Sequence, residues 1–232
     1  MSTALRASLE SVRKRISEAA TRAGSDASEI KLVAVSKTHP ASVVNEAIGA
    51  GASVFGENKV QEADDKIAVV GRDRAEWHLI GHLQSNKARR AVQLFDVIHT
   101  VDSLEIAKRL ERICGEEDRS ALSVFVQVDL AREETKSGIP ESDLTELVSY
   151  LRSCSRLKLD GLMILPPYFE NPEEARPFFK RLRKIRDDLA SQNGFANGRG
   201  ELSMGMSHDF ETAIEEGATV VRVGTAIFGA RT

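Results

Sequence analysis

About eight times along this chain, a short apolar run gives way to a longer stretch with helical spacing. Residues 32–36 (L-V-A-V-S) read as a buried strand, followed by a helix over 41–50. The pairing recurs as strand 52–55 with helix 58–69, strand 77–80 with helix 86–94, and strand 96–99 with helix 104–113. It continues as strand 123–129 with helix 144–151, strand 159–165 with helix 172–189, a run around Leu202 with helix 210–216, and strand 219–223. Continuous apolar strands separated by helices are buried on both faces and pair in parallel. Eight such units in 232 residues predict an α/β fold closed into a (β/α)8 TIM-type barrel, with an open doubly wound sheet as the alternative. The open sheet calls for a G-x-G-x-x-G turn after its first strand, where this chain has Ser36-Lys37-Thr38-His39-Pro40. An extra helix precedes the barrel. Leu5, Leu9, Val12 and Ile16 form one stripe of an amphipathic helix over 3–23, ended by Gly24.

Composition narrows the function. Lys and Arg number 32 against 35 Asp and Glu, a near-neutral balance that argues against binding nucleic acid through phosphate neutralisation. No apolar run approaches the roughly 18 residues of a membrane span. Glu10 and Glu18 interrupt the basic N-terminal segment and no continuous apolar stretch follows, so it reads as an ordinary helix rather than a targeting segment, and a cytoplasmic location is expected by default. Cys114 and Cys154 are far apart and form no C-x-x-C, and the five histidines show no metal-ligand spacing. His78 and His99 fall in strands as satisfied core residues, while His82, after Gly81, stands at a strand end where it could face a site. The basic run at 180–186 reads as the solvated face of a helix.

In a parallel barrel, functional groups gather where strands end. Lys37 follows the first strand and shares the parity of Val33 and Val35. A lysine set among barrel wall is desolvated and becomes a nucleophilic amine; the ordinary alternative is a solvated side chain. The stretch S-M-G-M-S at 203–207 and the turn after Arg222, Gly224-Thr225, carry small and hydroxyl residues that can present N–H and O–H donors to an anion. They fall after the seventh and eighth strands, where barrels often hold phosphate. Arg222 sits between Val221 and Val223, and its guanidinium needs either a buried carboxylate or a non-protein acceptor. Together, an amine, a phosphate cup and a buried arginine suit pyridoxal 5′-phosphate (PLP).

Six separated segments also resemble one family. They are K-L-V-A-V-S-K (31–37), F-G-E-N-K-V-Q-E (55–62), W-H-L-I-G-H-L-Q-S-N-K (77–87), E-E-T-K-S-G (133–138), G-L-M-I-L-P-P (161–167) and the stretch 202–231 with L-S-M-G-M-S, V-R-V-G-T and I-F-G-A-R. In this order they resemble the pyridoxal phosphate homeostasis proteins, small relatives of the alanine racemase barrel. The resemblance implies a PLP-binding domain over residues 1–232, with Lys37 as the Schiff-base lysine and Arg222 at the pyridine nitrogen. It further implies Ser203, Ser207, Gly224 and Thr225 around the phosphate, Asn58 near the cofactor, and Met204 lining the site through its backbone. Asp129 and Leu165 depart from the family pattern, away from these anchors.

The implied role is intracellular vitamin B6 homeostasis, with an indirect effect on amino-acid metabolism. Its partners are PLP and PLP-dependent apoenzymes as recipients, and the chain is expected to be a monomer. Arginine offers donors only, so it leaves the pyridine nitrogen unprotonated and the electron sink weak. The alternatives are a PLP-dependent racemase or decarboxylase, and a cofactor-free aldolase using Lys37. A racemase needs acid and base groups on both faces of its substrate. Of the tyrosines only Tyr168 could approach the mouth, and no second domain is expected to shield it.

Overall fold

The computed structural model describes residues 3–131 and 137–229. The N-terminal stripe forms α1 (Thr3–Ala23), whose buried residues are Leu5, Leu9, Val12, Ile16, Ala19 and Ala20. The strands are β1 (Lys31–Val35), β2 (Val54–Glu57), β3 (Glu76–Leu79), β4 (Val97–Val101), β5 (Leu122–Asp129), β6 (Ile139–Pro140), β7 (Leu157–Met163), β8 (Glu201–Met206) and β9 (Val220–Val223). Between and after them run α2 (Ala41–Gly49), α3 (Val60–Val70), α4 (Ala88–Leu94), α5 (Leu104–Glu116), α6 (Leu144–Ser153), α7 (Arg176–Ala190), α8 (Phe210–Glu215) and α9 (Thr225–Phe228).

Every strand pairing is parallel. The order β4-β3-β2-β1-β9-β8-β7-β5, with β4 also pairing β5, closes the expected eight-stranded barrel. The short β6 is an addition on the end of β5, and both it and α9 are too brief to leave a periodic signal. The second strand lies slightly later than its apolar run suggested, because Gly56 and Glu57 belong to it without adding hydrophobicity. The long helix expected at 172–189 opens with a 3-10 turn, Pro172–Ala175, capped by the Asn171 side chain.

Alternation along each strand gives the sheet two unlike faces. Outward, Ala34, Phe55, Trp77, Leu79, Ile98, Leu162, Leu202, Val221 and Val223 join the large core beneath the helices. Inward, a small apolar cluster of Val33, Val97, Phe125, Met163 and Val220 fills the barrel. Buried polar groups, among them His78, His99, Ser203 and Arg222, share that interior. The extra helix α1 packs outside the barrel on α8, where Arg15 makes a bidentate pair with Glu211 (3.0 and 2.8 Å) and lies over the Phe210 ring.

Candidate functional site

Lys37 lies two residues beyond the end of β1 and is half-buried. Its backbone is clamped from below. The Ser36 amide donates to Gly56 O (3.1 Å) and the His39 amide donates back to Ser36 O (3.1 Å). Between them Thr38 takes a left-handed φ of 69°, uncommon for a β-branched residue. Two residues of α3 hold that turn. The Thr38 amide donates to the Glu62 carboxylate. Lys66 Nζ donates to Ser36 O at 2.6 Å, to Glu57 Oε1 at 2.8 Å and to Glu62 Oε1 at 2.7 Å. Ser36 Oγ adds a bond to Glu57 Oε1 at 2.7 Å.

Glu57 is fully buried, and its burial outweighs Lys66 and pushes its carboxyl above the usual range. Partial burial acts the same way on Glu62, but its bonds from Lys66 and the Thr38 amide overcome it and hold the carboxyl below that range. Glu57 and Glu62 belong to the F-G-E-N-K-V-Q-E segment, but that segment alone assigns none of the three a role. The i, i+4 spacing of Glu62 and Lys66 is the signal that was available.

The rim beside Lys37 comes from the other end of the chain. β1 pairs β9 with Ala34 opposite Val223, so the turn at Gly224-Thr225 abuts the end of β1. Ser207 Oγ accepts from the Gly224 amide (3.1 Å) and the Ala226 amide (3.4 Å), tying the end of β8 to that turn. Thr225 is exposed there and Gly224 is half-buried. Asn58, just after β2, is half-buried at the same end of the barrel. Gly81 packs directly on it: a Cβ at Gly81 would stand 2.2 Å from Asn58 O.

Ser203 does not join Ser207. The stretch 203–207 is not one loop; it is strand through Met206, with a bulge that sets Ser203 opposite Val220 and Met206 opposite Arg222. Gly205 makes the bulge with φ +91°, and a Cβ there would lie 2.7 Å from Ala213 Cβ in α8. Ser203 therefore points into the barrel, where it accepts from Arg222 Nη1 at 2.5 Å and bonds His99 Nδ1 at 2.8 Å. Met204 turns its side chain outward into the core beneath the helices, which leaves only its backbone on the barrel wall.

Arg222 is almost fully buried inside the barrel. It donates to Ser203 Oγ and, through Nη2, to Ile164 O at 2.8 Å. Among the described residues it forms no ion pair, so the carboxylate partner that burial suggested is replaced by two neutral acceptors. Desolvation pulls its pKa down to about 10, opposed by Asp209, and the group stays cationic at neutral pH. Such a guanidinium keeps N–H donors beyond the two it uses, and a positive charge with no contacting carboxylate among the described residues, suited to an acceptor or an anion.

Of the remaining candidates, His82 is exposed and pairs with Asp102 at 3.2 Å, whose carboxyl burial raises. Tyr168 is 76% exposed with its ring against His208. His78 and His99 are satisfied in the core, as expected, but by each other and by Glu76 and Ser203. Residues 133–136 of the E-E-T-K-S-G segment and Arg231 lie outside the described residues. Among the described residues no cluster of His, Cys, Asp or Glu converges as a metal site would, and no helix is long and apolar enough to cross a membrane.

The sequence matches the family described as alanine racemase, N-terminal domain, over residues 7–232. It is 45% identical over 230 residues to the pyridoxal phosphate homeostasis protein of Escherichia coli (strain K12), covering 96% of this chain and 95% of that one. With the protein of the same description from Aquifex aeolicus it shares 42% identity over 223 residues, 96% of each. Among solved structures, PipY of Synechococcus elongatus PCC7942 with PLP bound superposes with a TM-score of 0.81 at 41% identity, over 92% of this chain and all (100%) of that one. Alanine racemase from Corynebacterium glutamicum, at 21% identity and a TM-score of 0.72, shares the fold; the likeness covers 96% of this chain and 62% of the racemase. With a barrel of this topology and near full-length identity above two-fifths, the chain belongs to the pyridoxal phosphate homeostasis protein family, on the alanine racemase N-terminal fold.

Proposed function

We propose that this chain binds PLP at the β1–β9 corner of its barrel and serves in handling the cofactor, passing it to PLP-dependent apoenzymes. The observation that carries the reading is Arg222: a buried cation, set on two neutral acceptors, on the strand that pairs with the one leading to Lys37. Its donor-only chemistry fits a ring nitrogen that carries no proton. When bound, PLP supplies an aldehyde that condenses with an amine and a ring that withdraws electrons. Lys37 supplies the amine, presented by the turn that Glu62 and Lys66 clamp. Ser207, Gly224 and Thr225 form the rim turn assigned to the phosphate, with Asn58 on the neighbouring strand end and Met204 contributing backbone. Ser203 acts one step back, as the acceptor that seats Arg222.

Handling is favoured over racemisation by two observations. The relatives named for PLP homeostasis are matched over 95–96% of their length, whereas the racemase extends well beyond the shared barrel. Tyr168 is turned to solvent with its ring on His208, not poised as an acid or base over the corner.

The test is borohydride reduction of the protein incubated with PLP, followed by peptide mass analysis. The peptide containing Lys37 should carry the pyridoxyl phosphate mass, and Lys37→Ala should lose it. An unmodified Lys37 in the wild-type protein would overturn the reading. Release of label from α-deuterated amino acids at enzymatic rates would favour the racemase alternative.

A further inference from the structure

The interior of the barrel holds a continuous line of polar contacts that the cofactor reading does not use. At the floor, where β1 and β3 begin, Lys31 Nζ donates to Glu76 Oε1 at 2.9 Å. The same oxygen faces His78 Nε2 at 2.8 Å. His78 Nδ1 faces His99 Nε2 at 2.8 Å, and His99 Nδ1 faces Ser203 Oγ at 2.8 Å. Ser203 Oγ accepts from Arg222 at 2.5 Å. Lys31 and Glu76 reach solvent, with side chains 38% and 36% exposed, but every later member is buried. Phe125 stacks on His99 with centroids 4.5 Å apart and planes 3° from parallel, walling the line from the rest of the interior.

The proton positions follow from the two ends. Glu76 is an acceptor, since the His78 bond, with a contribution from Lys31, overcomes burial and holds its carboxyl at about 2. His78 Nε2 must then donate. Burial keeps both rings neutral at neutral pH, so each has one donor and one acceptor. His78 Nδ1 therefore accepts, His99 Nε2 donates, His99 Nδ1 accepts, and the Ser203 hydroxyl donates to it. That leaves the Ser203 lone pairs for Arg222, which can only donate. The Glu76 end fixes this order, and the Arg222 end is compatible with it, since the two lone pairs of Ser203 suit either direction.

We propose that Glu76, His78, His99 and Ser203 form a one-way hydrogen-bonded relay that ties the ion pair at the barrel floor to Arg222. The two histidines are thus positioning residues for the guanidinium. Charge at the floor sets the tautomer of His78, that sets His99, and His99 decides whether the Ser203 hydroxyl donates to Nδ1 or accepts from it, and so where its proton lies beside Arg222. A proton added to either ring conflicts with the next junction and forces the line to reverse toward Ser203. The charged groups facing the two rings are Lys31 from β1, Glu76 on β3, Asp96 ahead of β4 and Arg222 on β9. Asp160 on β7 and Glu201 on β8 share the field of Lys31 across the floor. The relay itself stands on these contacts alone; its consequence for a bound ring nitrogen rests on the proposed PLP reading.

The experiment is nitrogen-15 NMR of the imidazole rings in the full-length protein without cofactor, at neutral pH. Both rings should be neutral, with protons on Nε2. A proton on Nδ1 of either, or an imidazolium, would overturn the relay. Glu76→Gln then tests transmission: loss of the carboxylate charge weakens the hold on the His78 Nε2 proton, so His99, which Glu76 does not touch, should gain Nδ1–H character together with His78. Rings that both stay unchanged would overturn the proposal. A shift confined to His78 would show that coupling stops at the first junction and would overturn the proposal. In protein loaded with PLP, Glu76→Gln should also shift the midpoint of the pH titration of the cofactor's absorption band, which a purely structural role would leave in place. If no PLP is taken up, the cofactor reading fails while the ring tautomers still decide the relay.

Discussion

The two faces of the barrel sheet are built on different terms, although they share the same strands. On β3, Trp77 and Leu79 point outward into a core sealed by helices, while Glu76 and His78 point inward to a line of hydrogen bonds. The outer face is stabilised by area removed from water, roughly 25 cal/mol per Å2, and one aliphatic residue can stand in for another. The inner face is stabilised by matching donors to acceptors, where a missing partner costs more than the bond itself contributed. Packing tolerates substitution by degrees; a relay of single protons does not.

The largest effect should come from the place where this division fails, the charged cluster on the outer side beneath Lys37. Lys66→Met leaves Glu57 buried without its counter-charge and should cost about 3–5 kcal/mol, read as a lower urea midpoint. Adding Glu57→Gln to it should restore part of the loss; no restoration would mean that Lys66 acts by packing alone. Next, Leu79→Ala on the apolar side should cost about 2–5 kcal/mol through the cavity it leaves. On the same strand, His78→Leu should cost about 1–3 kcal/mol, because Glu76 and His99 each lose a partner. Adding His99→Leu should cost less than the sum of the two single changes. Strict additivity in that cycle would dissolve the distinction between the faces.

The smallest effect is a pH dependence. His78 and His99 have folded pKa values lowered from 6.5 chiefly by burial, so below about that pH the unfolded chain binds protons the native state does not. Stability therefore falls as pH drops through the range just below 6.5. Glu76 adds a second loss at lower pH, between its ordinary 4.5 and about 2, since its carboxylate is favoured in the fold. Urea midpoints measured from pH 7.5 downward should show the first decline in the wild-type protein and a flatter profile in the His78→Leu, His99→Leu double variant.

The strands were legible from sequence because their signal is local: short continuous apolar runs, each bounded by a helix. The parity of Val33, Val35 and Lys37 and the unusual setting of Arg222 between two valines were equally readable. What escaped was pairing between distant strands. His99 and Ser203 are 104 residues apart, and nothing in either segment announces the other. The Gly205 bulge was hidden for a related reason. S-M-G-M-S looks like one turn rich in small residues, yet the extra residue splits its two serines between the barrel interior and the rim. Glu57 was hidden too, since a buried acid at a strand end becomes intelligible only once Lys66 is seen above it.

The pairing of the first strand with the last has a consequence for how the protein comes into being. Val33 sits opposite Arg222, so lysine and guanidinium share a corner only because β1 meets β9. The clamp on Lys37 is assembled within residues 36–66, and it can form early during synthesis. The corner cannot, because it exists only once β9 has paired with β1. On the proposed reading, uptake of PLP at this corner would report that folding is complete.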